Sequence, residues 1–400
     1  MKATGIVTEY NPFHNGHLHH INQSKEQTNA DVIIAVMSGN FLQRGEPAFA
    51  DKWARTRMAL NGGADLVVEL PYVFATAQAS DFAKGAMAIL DALRCDSFCF
   101  GSEDGDIQPF INTFDLLTKE RAHYNLYIKE EVATGMSYPK ALNNAYHKII
   151  SGRKGPFADL SKPNNILGFH YIEAANSIQS AMVPETIQRI QAGYHDDIDE
   201  TMTIASATGI RKAFFENGDL SEVRRYLPKT SVDELQAFHQ DFGFGSWETF
   251  WPLLRYSILR HQPEELRQFS EVTEGIEYLL REAALTAPNF TGFMERVKSK
   301  RYTWTRIQRM LTHIYTNFTW SDLRSFETPT YIRLLGMNQT GKDYLNSVKK
   351  KVTLPVISRV AASHDPMLEL DIRATDLYFS GLPNGAGKIG SDYRIPPIVI

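Results

Sequence analysis

A chain of 400 residues, 43% hydrophobic and 22% charged, has the make-up of an ordinary folded protein, long enough for two or three domains and a normal core. No apolar run approaches the roughly 20 residues that span a bilayer, and Met1-Lys2-Ala3-Thr4-Gly5 runs into an apolar stretch without a signal-peptide pattern. The expectation is a cytoplasmic protein with no membrane partner. The net charge of −4 is uneven: residues 291–351 hold 12 Lys/Arg against 4 Asp/Glu. Such a basic segment suits a polyanion, although solvated helix faces have the same composition.

Strand and helix signals alternate over residues 3–110. The apolar run at 3–7 predicts a strand and 16–27 a helix. A fully buried strand follows at 31–37, a helix at 52–61, a third strand at 64–69, a helix at 80–93 and a fourth strand at 97–100. This alternation implies a parallel sheet with helices on both faces. The chain carries neither G-x-G-x-x-G nor the P-loop pattern. Cys95 and Cys99, spaced C-x3-C without a second ligand pair, read as buried packing thiols rather than a zinc site. Residues 111–180 read as helical with a Pro/Asn turn at 162–165. A short strand is expected at 187–191 and a helix at 206–217. Amphipathic helix dominates from about 220 to 350, a strand returns at 355–360, and the tail at 381–397 is rich in Gly and Pro. No internal repeat is visible.

The sharpest motif follows the first predicted strand. His14-Asn15-Gly16-His17 sets two histidines three apart, on one helix face. The free amides and positive dipole end of a helix start attract anions there. Imidazoles in that place can donate hydrogen bonds to phosphate oxygens whose charge grows as pyrophosphate leaves. Gly16 leaves room for a base or ribose to approach the backbone, and Asn11 and Pro12 set the turn and start the helix. Histidines at a helix start also serve as caps or packing groups. A second helix start lies at Ser206-Ala207-Thr208-Gly209-Ile210-Arg211. Ser206 and Thr208 are capping types. A cation in the first turn is disfavoured by the dipole and explained by a bound anion. Ser206 and Thr208 can offer hydroxyls and amides to phosphates, and Arg211 can neutralise β/γ oxygens. A plain N-cap beside a solvated arginine uses the same residues.

Together, H-x-G-H after the first strand and S-x-T-x-x-R at a late helix resemble the paired signatures of the nucleotidyltransferase superfamily, which includes the catalytic domains of class I aminoacyl-tRNA synthetases. Longer stretches resemble the bacterial tRNA(Met) cytidine acetate ligase family. They are residues 5–17, Met37-Ser38-Gly39-Asn40-Phe41-Leu42-Gln43-Arg44-Gly45-Glu46-Pro47, Lys162-Pro163-Asn164-Asn165-Ile166-Leu167-Gly168, Thr303-Trp304-Thr305-Arg306-Ile307-Gln308-Arg309 and Tyr331-Ile332-Arg333-Leu334-Leu335-Gly336.

The resemblance implies an α/β fold. A parallel-sheet, Rossmann-like HIGH-superfamily domain would occupy residues 1–217, with a helical insertion at about 111–180. A mainly α-helical, tRNA-binding region would follow over 218–400. It implies that acetate and ATP form acetyl-adenylate and pyrophosphate, and that the acetyl group passes to N4 of the wobble cytidine of elongator tRNA(Met), giving N4-acetylcytidine. In that scheme Val7, Thr8, Asn11, Pro12, Phe13 and Gly16 cradle ATP. His14 and His17 stabilise the α-phosphate transition state and the leaving pyrophosphate. Gly101 admits the adenosine at the sheet edge, Asn164 and Arg189 touch the nucleotide, and Ser206, Thr208 and Arg211 serve its phosphates. Mg2+ is expected on the triphosphate, without a legible carboxylate cluster to hold it. Ala207 stands where the superfamily often has Ser, and the superfamily's second lysine motif has no clear equivalent.

For the second substrate, Arg44 sits in a loop at the carboxyl edge, placed to meet acetate or a tRNA phosphate, with Lys52, Arg55 and Arg57 nearby. An ordinary turn before a helix with solvated cations fits the same residues. Lys300, Arg301 and Arg306 suit RNA phosphates, while Tyr302 and Trp304 suit stacking on unpaired bases. The other reading is a helix start with both rings packed inward. Two further functions share the N-terminal motif. A small-molecule adenylyltransferase has no use for the basic, helical second half. A non-catalytic tRNA-binding protein on a relic nucleotide fold has no use for intact His14, His17 and Arg211.

Overall fold

The computed structural model describes residues 1–136, 138–190, 204–299 and 301–400. In the first half, β1 (Ala3–Thr8), β2 (Val32–Ser38), β3 (Leu66–Leu70), β4 (Ser97–Ser102) and β5 (Val183–Gln188) lie parallel to their neighbours. Every residue of β2 and β3 is buried, as expected of parallel strands covered by helices on both faces. The order is β5-β4-β1-β2-β3. From β1 the sheet grows through β2 and β3, and the chain then crosses to the other side of β1 for β4 and β5. That reversal opens a crevice between the carboxyl ends of β1 and β4, the place where open α/β sheets bind ligands.

The helices Asn15–Thr28, Lys52–Asn61 and Ala79–Ala92 fall where the periodicity predicts. Four more, Gln108–Lys119, Arg121–Ala133, Tyr138–Ile150 and Pro163–Ser177, fill the predicted helical stretch. The turn expected at 162–165 is instead the start of the Pro163–Ser177 helix. Pro163 takes its first position, where a missing N–H costs nothing. β5 begins earlier than predicted, since Val183, Pro184 and Glu185 pair with β4 while staying partly open to solvent, which blunts the apolar signal.

The second half does more than add helices. β6 (Ile332–Met337) runs antiparallel to β3, and β7 (Val356–Ile357) and β8 (Ile398–Val399) pair parallel with β6. The strand expected at 355–360 thus shrinks to two residues. β6 escapes the sequence pattern because Arg333 interrupts its apolar run, yet Arg333 is 1% exposed. Helices Trp247–Leu259, Trp304–Tyr315 and Pro366–Gly381 contribute to the same apolar core as the sheet. Cys95 and Cys99 are buried free thiols, both pushed up by burial, Cys99 to about 12. Among the described residues no helix is long and apolar enough to cross a membrane.

A buried ionic network fastens the tail to the sheet. Lys52 Nζ lies 2.8 Å from Glu69 Oε2 on β3 and 2.8 Å from Asp392 Oδ1 near the C-terminus. Arg333 Nη2 is 3.5 Å from the same Asp392 oxygen. All four side chains are at most 3% exposed. Removing one partner of such a set leaves an uncompensated buried charge, at a cost of about 3–5 kcal/mol. Lys52→Ala is therefore expected to lower the urea-unfolding free energy by about that amount, whereas the exposed Lys349→Ala changes it by less than about 0.5 kcal/mol. Equal effects in the two variants would deny the network its structural role.

Candidate functional site

The loop after β1 delivers His14 to the crevice as the N-cap of the Asn15–Thr28 helix. Its Nδ1 accepts from Gly16 N–H at 3.0 Å, and His17 Nδ1 accepts from His14 N–H at 3.2 Å, a reciprocal capping box. Pro12 precedes the cap by two residues, in the turn, rather than opening the helix. Because a backbone N–H can only donate, both Nδ1 atoms must be unprotonated. Each neutral ring then carries its proton on Nε2. The rings stack at 3.8 Å between centroids and 26° between planes, with Tyr10 edge-on to His17 at 4.9 Å.

Burial, and then the Arg189 guanidinium, push His14 down to about 3. Burial, His14 and Arg189 hold His17 well below its usual range. Burial, and then Arg189, take His20, a further three residues along, to about 4. The site therefore presents neutral N–H donors beside a permanent cation. Such a set suits an incoming polyanion, and it asks for no deprotonation first.

Gly16 lies against the His14 ring. The space of its missing Cβ is filled by the His14 ring, with Cε1 at 2.8 Å from where that atom would sit. The space above Gly101 is likewise filled, by Arg189 Cγ at 2.8 Å. Phe13 is fully buried and belongs to the core. Asn164 Nδ2 donates to Glu103 Oε1 at 2.9 Å, just past β4. Val7 and Thr8 end β1 at the crevice.

Across the crevice mouth stands the Ala207–Asn217 helix. Ser206 caps it, accepting from Gly209 N–H at 3.1 Å, so that part of its capacity is engaged, while Thr208 is exposed. Arg211 Nη1 donates to Asn11 O at 2.7 Å and Nη2 pairs with Glu46 at 3.0 Å. The fold therefore brings together both motifs, which lie nearly 200 residues apart in sequence.

Several cations proposed for the second substrate are structural instead. Lys52 sits in the buried network above. Arg55 is wholly buried and donates to Ala50 O, Glu9 O, Ser38 O and Gly39 O. Both side chains are buried and occupied by protein partners. Arg57 pairs with Glu234 at 2.7 Å. Arg44 is half-buried, close enough to lower Glu9, whose carboxyl is nonetheless raised, chiefly by burial. In the basic run, Lys300 lies outside the described residues. Arg301 pairs with Glu274 at 3.0 Å, and Arg306 reaches Thr273 Oγ1 at 3.2 Å. Tyr302 packs inward with its hydroxyl on Glu274 O, whereas Trp304 remains 38% exposed.

Sequence reasoning overlooked three neighbours: Glu46, which holds Arg211; Glu9, which accepts Gln43 N–H at 2.7 Å; and His20. His14, His17 and His20 at a constant spacing of three were a legible signal. The pairing of Glu46 with Arg211 had none.

Comparison with known proteins gives a consistent result. Residues 1–390 match the family model described as HIGH Nucleotidyl Transferase. The chain is 56% identical over 401 residues to the tRNA(Met) cytidine acetate ligase of Lysinibacillus sphaericus (strain C3-41), covering 100% of both chains. It is 45% identical to that of Bacillus subtilis (strain 168), over 94% of this chain and 92% of the other. Among solved structures, Thermotoga maritima TmcAL bound with alpha-thio ATP superposes with a TM-score of 0.89 at 32% identity. The apo form of that protein does so with 0.91 at 33%, and both cover 100% of each chain.

The neutral histidines carry a pH signature. The unfolded chain takes up a proton at His14 near pH 6.5, while the folded chain resists it until about 3. Folding is therefore undisturbed above pH 6.5 and loses up to about 1.4 kcal/mol per pH unit from this residue as pH falls below it. Relative to His14→Asn, which keeps a capping acceptor but does not titrate, the wild-type protein is expected to lose stability between pH 7 and 5 in urea unfolding. Parallel pH profiles would refute the buried, neutral assignment.

Proposed function

This chain belongs to the HIGH nucleotidyltransferase family, and on that premise we propose that it is an ATP-dependent ligase that activates acetate as acetyl-adenylate and acetylates N4 of the wobble cytidine of elongator tRNA(Met). The observation that carries the reading is the pair of imidazoles fixed as Nε2–H donors at the sheet's switch point, opposite Arg211. The full-length relatives named as ligases point to the substrates, and the TmcAL structure bound with alpha-thio ATP supports the nucleotide.

ATP lies in the crevice between β1 and β4, along Val7, Thr8, Asn11 and Pro12, with Asn164 and Arg189 toward its nucleoside. An acetate oxygen attacks the α-phosphorus. The bond to the bridging oxygen breaks, and its electron pair leaves on pyrophosphate. His14 and His17 donate from Nε2 to the oxygens that gain charge, in a geometry already set by the capping box. Arg211 exchanges Glu46 for the β/γ oxygens, and Ser206 and Thr208 flank them. In the second half-reaction the N4 nitrogen attacks the acetyl carbon. The new C–N bond forms, the acyl C–O bond to AMP breaks, and the surplus N4 proton is released to solvent. Arg44, beside Glu9 at the carboxyl edge, is the candidate left for acetate or a tRNA phosphate.

Among the described residues no cluster of three or more His, Cys, Asp or Glu is built to hold a metal. A Mg2+ ion, where present, would be carried by the triphosphate and would offset its charge. We infer that the protein works in the cytoplasm, where tRNA, ATP and acetate meet.

The direct test is mass spectrometry of tRNA nucleosides after incubation with ATP and labelled acetate, alongside ATP–pyrophosphate exchange. Acetate-dependent exchange and labelled N4-acetylcytidine are expected. Exchange that requires a phosphorylated small molecule would favour an adenylyltransferase, and tRNA binding without exchange would favour a relic fold. His14→Ala and His17→Ala should each lower exchange by about 10²–10³-fold while tRNA binding persists. Near wild-type exchange would remove the residue from the mechanism. Neutralising Arg301 and Arg306 should weaken tRNA binding and flatten its salt dependence, and an unaltered salt slope would clear that surface.

A further inference from the structure

Beside Arg211 a cleft of about 300 Å³ opens between the Ala207–Asn217 helix and the start of the Trp304–Tyr315 helix. Arg211 and Lys212 bring positive charge to it and Glu46 and Glu248 negative charge, with Glu46 paired to Arg211 at 3.0 Å, and Phe215 and Trp304 line it with aromatic rings. Those rings are open, at 49% and 38% exposure, in a chain that buries most of its aromatic residues. Trp247, itself buried, lines the cleft and donates from Nε1 to Gly45 O at 2.8 Å. Lys298 Nζ stands 5.9 Å from the centre of the Trp304 ring.

We propose that this cleft receives the unstacked acceptor base of the single-stranded RNA substrate, a pyrimidine bearing an exocyclic amine, against Phe215 and Trp304. The proposal rests on the ligase reading above. Three observations select this occupant. Aromatic faces interleaved with cations are the chemistry that holds unpaired bases and their phosphates. The volume suits a single nucleoside and not a duplex, being at the low end of ligand pockets. Arg211 also ties the cleft to the reacting centre, because its guanidinium lines the cleft and is bonded to Asn11 O, three residues before His14. A base drawn out of its stack into this cleft meets an acyl group formed in the neighbouring crevice. An enzyme acting on a base edge takes a base that is already unpaired or draws it out of its stack. ATP and the acceptor base thus occupy separate places, joined at Arg211. Lys212 and Lys298 face the flanking phosphates.

The test compares acetyl transfer to tRNA with acetate-dependent ATP–pyrophosphate exchange in the full chain. Phe215→Leu and Trp304→Leu keep bulk and apolarity but lose the flat ring. Each is expected to lower transfer relative to exchange by at least about ten-fold, with Phe215→Tyr and Trp304→Phe restoring most of the loss. An unchanged ratio in the leucine variants would overturn the base site, and so would a parallel loss of transfer and exchange, which would assign the cleft to ATP or to folding. Absence of exchange in the wild-type protein is a separate result that overturns the ligase reading itself.

Discussion

The site depends on a buried guanidinium. Arg55 has no exposed surface, and its N–H groups are directed at the carbonyls of Glu9, Ser38, Gly39 and Ala50. Those carbonyls belong to the chain leaving β1, the end of β2 and the approach to the Lys52–Asn61 helix. A guanidinium taken out of water is tolerated when such acceptors surround it, and leaving them unpaired is what makes its loss severe. The loop that carries His14 starts at this clamp. Asn11 adds a second anchor, with Phe49 N–H donating to its side chain at 2.6 Å.

The clamp is one layer of a larger connection between the halves of the chain. Gly45 sits at φ +74°, where a side chain would be strained and would collide with the Arg309 backbone. The loop carrying Arg44 and Glu46 is thereby laid directly on the Trp304–Tyr315 helix. Arg309 in turn is locked to Glu271 at 2.7 and 2.8 Å. Glu46 reaches from that loop to Arg211. The helical half is thus in contact with the crevice between β1 and β4, through Gly45, Glu46 and Arg211.

The parts of the fold that were legible are those written in short-range chemistry. The run from Val32 to Met37 could only be a strand buried on both faces, and the helix start at Ser206 was announced by its capping hydroxyl. What stayed hidden needed partners distant in sequence. Arg333 looks like an interruption of an apolar run until Asp392 arrives beside it, and Lys52 and Arg55 look like ordinary helix cations until Glu69, Asp392 and four carbonyls enclose them. Charge type is legible in the sequence and burial is not, so Lys52 and Arg55 read as substrate cations although they hold the core.

The sequence by itself determined the order of strands and helices in the first half, the imidazole pair and the distant arginine, since each depends on spacing within a few residues. Tertiary structure decided the protonation and reach of those groups. The capping box puts the protons of His14 and His17 on Nε2, burial and Arg189 keep the rings neutral, and the fold sets Arg211 on the carbonyl of Asn11. Tertiary structure also decided which rings of the basic segment are open: Tyr302 turns inward while Trp304 faces the cleft. Such choices depend on which groups are brought together and shielded from water.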